Sequence, residues 1–450
     1  MAQTASSTYD RHEAVCVIGA GACGLIAVKN LRENGFEVDC YERDTVIGGL
    51  WNPLNQHSPL YANTHTATPR QLTEIPDFPM PDHWPDYPAA ELVEKYLGRY
   101  AQHFHLTEHI WFGSEVVGIE PAGGSRFDVR LKSAVRGKAD RKLRYGAVIV
   151  ATGHHTVPFT PDIPGLEFFP GDVVHSSKTG DLARWKGKRV LVIGGGVSGT
   201  DLASLIAPIA SECLHSTRRD YRYLPRYLDG QPAQVAWLRA GEPLKWDLFG
   251  MRAKRRAARL LEPSVKAAEH LGIGVPDEPG PLETLYNGHY VEYVGEGSID
   301  RVPHVASVEG RRVRFADDSE AEVDAIVCAT GFEPGYDFCP PDLRGEDDRL
   351  LADMFSPKAE TLSFVGSADS DSAMLPIAHW QSHAIAHWLK VRRGDPDRAV
   401  AFREAVVAET GHSASIPDQS SHRHRTAVDG EAYLQALGRI IATLEQEATE

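Results

Sequence analysis

Two short β-branched runs, each feeding a glycine turn, set the pattern of the chain. Val15, Val17 and Ile18 read as a buried strand that enters Gly19-x-Gly21-x-x-Gly24. Leu25, Ile26, Val28 and Leu31 then recur at helical spacing until Gly35, and a second strand, Phe36 to Tyr41, ends on Glu42. The arrangement recurs later. Val190 to Ile193 enter Gly194-x-Gly196-x-x-Gly199, a helix follows, and the strand Glu212 to His215 ends in Ser216-Thr217-Arg218-Arg219. Strand, glycine turn, helix and strand in that order form the dinucleotide-binding βαβ unit. Its first glycine permits the tight turn, its second lets a pyrophosphate approach the backbone, and its third allows close helix–strand packing. The predicted fold is therefore α/β, with two Rossmann-like dinucleotide-binding domains.

Between and around these units the pattern is weaker. Residues 1–14 read as a frayed polar lead. Residues 55–88 are rich in proline, aspartate and aromatics and predict a long ordered loop over the first site. An amphipathic helix is predicted over 90–104, then strands at Ile110–Phe112, Val116–Glu120, Phe127–Leu131 and Ala147–Ala151. Two strands end in matching turns, Ala151-Thr152-Gly153 and Ala329-Thr330-Gly331, that return the chain toward a bound nucleotide. The basic stretch 251–272 predicts a helix with a solvated face. Strands at Ile299–Val302, Arg312–Phe315 and Thr361–Gly366, then a loop and helix, lead to a closing helix over Gly430–Glu445. These elements divide into a first dinucleotide-binding part (1–168), an inserted smaller unit (169–320) and a returning part of the first unit (321–450).

Composition is that of a globular protein: 450 residues, 42% hydrophobic and 24% charged. A net charge of −15 argues against nucleic-acid binding. No run approaches the length of a membrane span, and no apolar signal core opens the chain. The six cysteines show no metal spacing and suit a reducing cytoplasm. The two second strands end differently, and this bears on the cofactors. Glu42 suits a ribose diol and repels a 2′-phosphate, so the first site favours FAD. Arg218 and Arg219 can pair with a 2′-phosphate, so the second favours NADPH. Hydride transfer from nicotinamide to flavin follows from having both. There is no redox-active Cys-x-x-Cys or Cys-x4-Cys pair, which turns the expected acceptor from a disulfide to O2.

The motifs VIGAGACGL, YER, GGLW, IPDFPMPD, ATGHH, ATGFEP, GKRVLVIGGGVSGTDLA and Phe169-x-Gly171-x-x-x-His175 resemble, in order and spacing, the flavin-containing monooxygenases of the soluble bacterial type. The resemblance covers nearly the whole chain. It implies that Gly19, Gly21, Gly24, Glu42, Leu50, Trp51, His57 and Val116 hold FAD. Gly194, Gly196, Ser198, Gly199, Thr200 and Arg218 would hold NADP, with His175 nearby. It implies oxygenation of an amine nitrogen or sulfide sulfur of a small molecule through a C4a-hydroperoxyflavin, and it allows a homodimer.

Two positions depart from the family. Thr179 stands where members carry tyrosine, phenylalanine or, in Baeyer–Villiger relatives, tryptophan. Ala67 stands where an asparagine touches both cofactors. His65 and Thr66 are the candidate catalytic residues in its place, with Asn63 also in reach and His65 favoured. Baeyer–Villiger oxygenation and plain NADPH oxidase activity are the alternatives. Tyr221 to Arg226 is placed either over NADP or in loop packing. Trp380, His383, His387 and Trp388 read as a helix face on the core, and His422 and His424 carry no metal constellation.

Overall fold

The computed structural model describes residues 9–133, 140–241, 251–274, 284–345, 349–370, 373–410 and 427–448. Two sheets divide the molecule. In the first, the strands run in the order Ile110–Trp111, Val38–Tyr41, Tyr9–Ile18, Arg141–Val150, Phe127–Leu131 and Val116–Pro121. The first four are mutually parallel, and the last two add an antiparallel meander. Arg141–Val150 changes partner along its length. Its first half pairs with Phe127–Leu131, while Val148 to Val150 take Leu362–Phe364 in parallel. The strands at the centre are apolar on both faces: Val15, Val17 and Ile149 pack against helices, while Cys16, Ile18, Val148 and Val150 pack against the antiparallel strands and Tyr336, Cys339 and Leu343. The Ala22–Glu33 helix buries Leu25, Ile26, Val28 and Leu31 and packs on the long helix Met374–Gly394.

The first strand corrects the reading of residues 1–14 as a frayed lead. From Tyr9 onward the chain is already paired, Tyr9 with Leu143 and Arg11 with Tyr145. Charged partners rather than apolar burial hold that extension, since Arg11 forms an ion pair with Asp39 at 2.9 Å. Residues 1–8, and the HRHR tract with His422 and His424, lie outside the described residues.

The second sheet is wholly parallel, in the order Asp300–Val302, Glu212–Ser216, Arg189–Ile193, Ala325–Cys328 and Asp172–His175. Ala325–Cys328 lies beyond residue 320, so the second unit's sheet draws a strand from past the boundary expected for it. The salt bridges of Arg189 with Glu322 and Asp324 sit at its base. A three-stranded antiparallel sheet, Val305–Glu309, Arg312–Phe315 and Glu320–Glu322, flanks it.

The remaining elements largely follow the pattern. The amphipathic helix spans Ala90–His103, and the loop before it is ordered around a short helix, Arg70–Thr73. The basic helix is Met251–His270; in its described part Leu261 and Ala268 are buried and Lys266 is exposed. A helix at Pro396–Thr410 was not expected. The helix face at Trp380 is only partly core. Trp388 is buried, whereas Trp380 is exposed and joins His383 and His387 in a ring ladder. All six cysteines are free thiols, and burial pushes that of Cys23 up to about 12.

His215 ties the second sheet to its glycine turn. Its Nε2–H donates to the Gly194 carbonyl at 2.9 Å, and its Nδ1 accepts from the Tyr290 hydroxyl at 2.6 Å. Burial holds the ring neutral, with its pKa lowered from 6.5 to about 4. An unfolded histidine protonates first as the pH falls, so this group's contribution is complete above pH 6.5 and is lost between 6.5 and about 4. The loss is on the order of 3 kcal/mol. The predicted outcome is that His215→Gln, which can still donate to Gly194, shows a shallower fall of Tm between pH 7 and 4.5 than the parent protein. Equal slopes would remove His215 from the acid response.

Candidate functional site

A cavity of about 1040 Å³ runs from the first glycine turn to the second. Gly19, Gly21, Glu42, Leu50, Trp51, His57, His65, Thr66 and Val116 line it on one side, and Gly196, Ser198 and Thr200 on the other. Of the expected cofactor residues, Gly24, Gly194, Gly199 and Arg218 are not on its wall. The glycines act from behind. A Cβ on Gly24 would stand 1.8 Å from the Gly19 carbonyl oxygen, and one on Gly199 1.7 Å from that of Gly194. Gly19 and Gly194 take left-handed φ values of 102° and 120° and back onto the carbonyls of Ala151 and Ala329. The two Ala-Thr-Gly turns therefore meet the two glycine turns directly. Arg218 is exposed at the end of its strand, outside the cavity.

The first half is a backbone cradle. Gly48 and Gly49, both at positive φ, press against Gly21, and a Cβ on Gly49 would lie 2.8 Å from the Gly21 Cα. This closeness delivers Leu50 and Trp51 to the wall. Glu42 is buried, and its carboxylate already accepts the N–H groups of Ala20 (2.7 Å) and Asp44 (2.9 Å). Each oxygen keeps a lone pair for a further hydroxyl. Asp44 in turn lies 3.5 Å from Nδ1 of His57, and its carboxyl is lowered despite burial by the N–H groups of Thr45 and Gln56 and by His57.

The loop 57–68 crosses the cavity between the two sheets. His65 is exposed, and its Nδ1–H donates to the Asn63 carbonyl at 2.7 Å, which leaves Nε2 for another partner. Thr66 is buried, its N–H donates to Pro88, and its hydroxyl has no partner. Ala67 lies on the wall, and Asn63, at φ 62°, does not. His175 supports rather than lines. Its Nε2–H donates to the Gly331 carbonyl at 2.9 Å, its Nδ1 accepts from Ser177, and burial lowers its pKa. Thr179 is fully buried and donates to the Ser176 carbonyl. In the 221–226 stretch, Arg226 lines the cavity, and the Tyr221 ring covers Gly195 of the second glycine turn.

Sequence reasoning missed Asp201 and Asn287, both on the wall, where Thr152 of the first Ala-Thr-Gly turn also lies. Asp201 receives Nδ2–H of Asn287 at 2.7 Å and the Tyr61 hydroxyl at 3.3 Å, and burial raises its pKa. Its place just after the second turn, one helical turn from Ser198, was the available signal. Asn287 offered none.

The residues fit two dinucleotides. The helices Ala22–Glu33 and Val197–Ile206 begin at glycines with no side-chain cap, so their first N–H groups are open to phosphate. The hydroxyls of Thr66 and Thr152 are partnerless on the wall, as they would be where a polar ligand supplies the missing bonds. Among the described residues no three His, Cys, Asp or Glu side chains form a metal-binding group, and no helix is long and apolar enough to cross a membrane.

Two sheets with parallel βαβ units sharing one cavity, each with its own glycine turn, define a two-dinucleotide oxidoreductase. The chain belongs to the flavin-binding monooxygenase-like family, whose model matches residues 12–445. The family uses FAD and NADPH, so the chain is a flavin-dependent oxidoreductase. It is 30% identical to human flavin-containing monooxygenase 5 over 414 residues, 88% of this chain and 76% of that one. It is 28% identical to 4-hydroxybenzoate brominase (decarboxylating) of Marinomonas mediterranea, over 83% of this chain and 73% of the other. The fold superposes on cyclohexanone monooxygenase in its loose, ε-caprolactone-bound conformation with TM-score 0.69 at 18% identity, covering 97% and 98% of the two chains.

Close packing behind the first turn gives a direct test. Gly24→Ala should lower stability by about 1–3 kcal/mol, since the methyl must displace the Gly19 carbonyl. The purified variant should carry less flavin per chain by absorbance. Full flavin content with unchanged Tm would contradict the packing.

Proposed function

We propose that this chain is an NADPH- and O2-dependent monooxygenase that oxygenates a nitrogen or sulfur atom of a small molecule. The cavity shared by both glycine turns carries the reading, because it lets two dinucleotides meet over one reaction space. In this reading Gly19, Gly21, Glu42, Leu50, Trp51, His57 and Val116 hold FAD, with Gly24 packing the turn. Gly196, Ser198 and Thr200 hold NADPH, Gly194 and Gly199 shape their turn, and Arg218 pairs with the 2′-phosphate from outside the cavity. When bound, the two cofactors supply a hydride and activated oxygen, one atom of which reaches the substrate while the other leaves as water. The protein orients the cofactors and keeps bulk water out of the space between them. Thr66 offers a buried hydroxyl and His65 a free Nε2 beside Ala67. Together these take over the polar contacts of the family's asparagine.

Ala67 itself favours a second reading, Baeyer–Villiger oxygenation of a ketone or aldehyde, because the removed amide opens the wall next to the flavin.

The deciding assay supplies a tertiary amine, an aryl sulfide and a cyclic ketone in turn, and measures NADPH used, oxygenated product and H2O2. N-oxide or sulfoxide in near-stoichiometric yield supports the proposal, and ester from the ketone alone selects the second reading. Peroxide matching NADPH with no product, for all three, sinks both. Thr66→Val should shift the balance toward peroxide while flavin content stays the same. Arg218→Ala should raise KM for NADPH about tenfold, the equivalent of one charge-assisted hydrogen bond, and leave NADH little affected.

A further inference from the structure

Residues 61–66 are tied to both halves of the molecule. At one end, the Thr64 carbonyl accepts the Ala90 N–H and the Thr66 N–H reaches the Pro88 carbonyl, which anchors the segment to the first unit. At the other, the Tyr61 ring packs on the core of the second unit, and its hydroxyl meets Asp201 Oδ2 at 3.3 Å. Between them the Tyr61 carbonyl accepts from both the N–H and the hydroxyl of Thr64, which makes 61–64 a rigid turn.

The polarity of the Asp201 contacts is fixed by its neighbours. The side-chain oxygen of Asn287 accepts the N–H groups of His289 and Tyr290, both at 2.9 Å, so its amide nitrogen must face Asp201. Asp201 therefore accepts at Oδ1 from Asn287 and at Oδ2 from Tyr61. A carboxylate on the wall of a cavity built for phosphates is electrostatically costly, and here one oxygen holds Tyr61 of the 61–66 strap while the other is held by Asn287. Asp201 lies on the same helix as Ser198 and Thr200, at the second glycine turn, while the strap ends in His65 and Thr66 on the wall of the same cavity.

We propose that Tyr61, Asp201 and Asn287 are positioning residues that transmit occupation of the second dinucleotide site to His65 and Thr66 at the flavin. The inference rests on the assignment of the two sites to FAD and NADP, and it does not depend on which substrate is oxygenated. A ligand seated on the Ser198–Thr200 turn bears on the helix that carries Asp201. The Tyr61 hydrogen bond then fixes where the strap stands over the first site. Such coupling is reciprocal, so flavin-side changes should also be felt at the NADP turn.

The test uses the oxidised holoprotein with NADP+ alone, without substrate or turnover. NADP+ binding is measured by calorimetry, and the visible flavin spectrum is recorded in the same titration. The parent protein should show a spectral shift on saturation. Tyr61→Phe, which removes only the hydroxyl, should still bind NADP+ but lose most of that shift. Asp201→Leu should behave alike, since it removes both acceptor oxygens at similar size. A parental shift in Tyr61→Phe, or no shift in the parent, overturns the proposal. If Tyr61→Phe fails to hold flavin, Asp201→Leu decides by the same criterion. Peroxide leakage under turnover should rise in both variants. If the parent yields only peroxide, the oxygenase reading fails while the spectral test of coupling still stands.

Discussion

A helix in each half of the molecule crosses its strand so closely that the contact consists of a hydrogen atom against a carbonyl oxygen. Gly24 on Gly19 and Gly199 on Gly194 leave no room for a methyl group, and the carbonyls of Ala151 and Ala329 close on the same turns from the other side. Everything functional depends on that approach. It brings each helix N-terminus to the end of its sheet with its first N–H groups uncapped. It also places the two Ala-Thr-Gly turns against the glycine turns, so backbone forms part of the cavity wall. Side chains then supply the differences between the two sites, beginning with Glu42 on one side and Asp201 on the other.

How much of this could be read in advance follows from the range of the forces involved. The two βαβ units were legible because each is local and leaves a periodic apolar trace, as in Val15 to Leu31. The cavity wall was legible where a motif fixes the backbone, at Gly19, Gly21 and Gly196, and at Leu50 and Trp51 behind Gly48-Gly49. Arg218 shows the limit. Its charge at the strand end was clear in the sequence, yet its position outside the cavity depends on where the turn leaves the sheet. Residues 9–14 were misread because charged pairs such as Arg11 with Asp39 hold that part of the strand, and they leave no hydrophobic pattern. Asn287 was invisible for a related reason. It acts through contacts with residues 86 positions away, and nothing around it marks a motif.

Related chains diverge in chemistry more than in architecture. A flavin-containing monooxygenase and a decarboxylating brominase both align over most of this chain, and a cyclohexanone monooxygenase shares its fold. The shared fold therefore provides a common frame, and in this chain the loop 57–68 brings side chains to the cavity between the two units. Ala67 puts only a methyl group on the wall. Thr66 and His65 leave polar atoms available beside it. The same short loop also joins the two units, so its sequence can alter reactivity and geometry together.

The divided partnership of Arg141–Val150 bears on how the molecule is made. The second unit's sheet uses strands between Asp172 and Cys328, an almost unbroken interval. The first sheet needs Leu362–Phe364 to cover the second half of its central strand. During synthesis the inserted unit can therefore complete its sheet while the earlier one still has an open edge. That edge is apolar, since Val148, Ile149 and Val150 are among the most buried residues of the finished protein. An exposed strand of this kind invites wrong pairing, so the interval before Leu362 emerges from the ribosome is when a nascent chain is most in need of a chaperone.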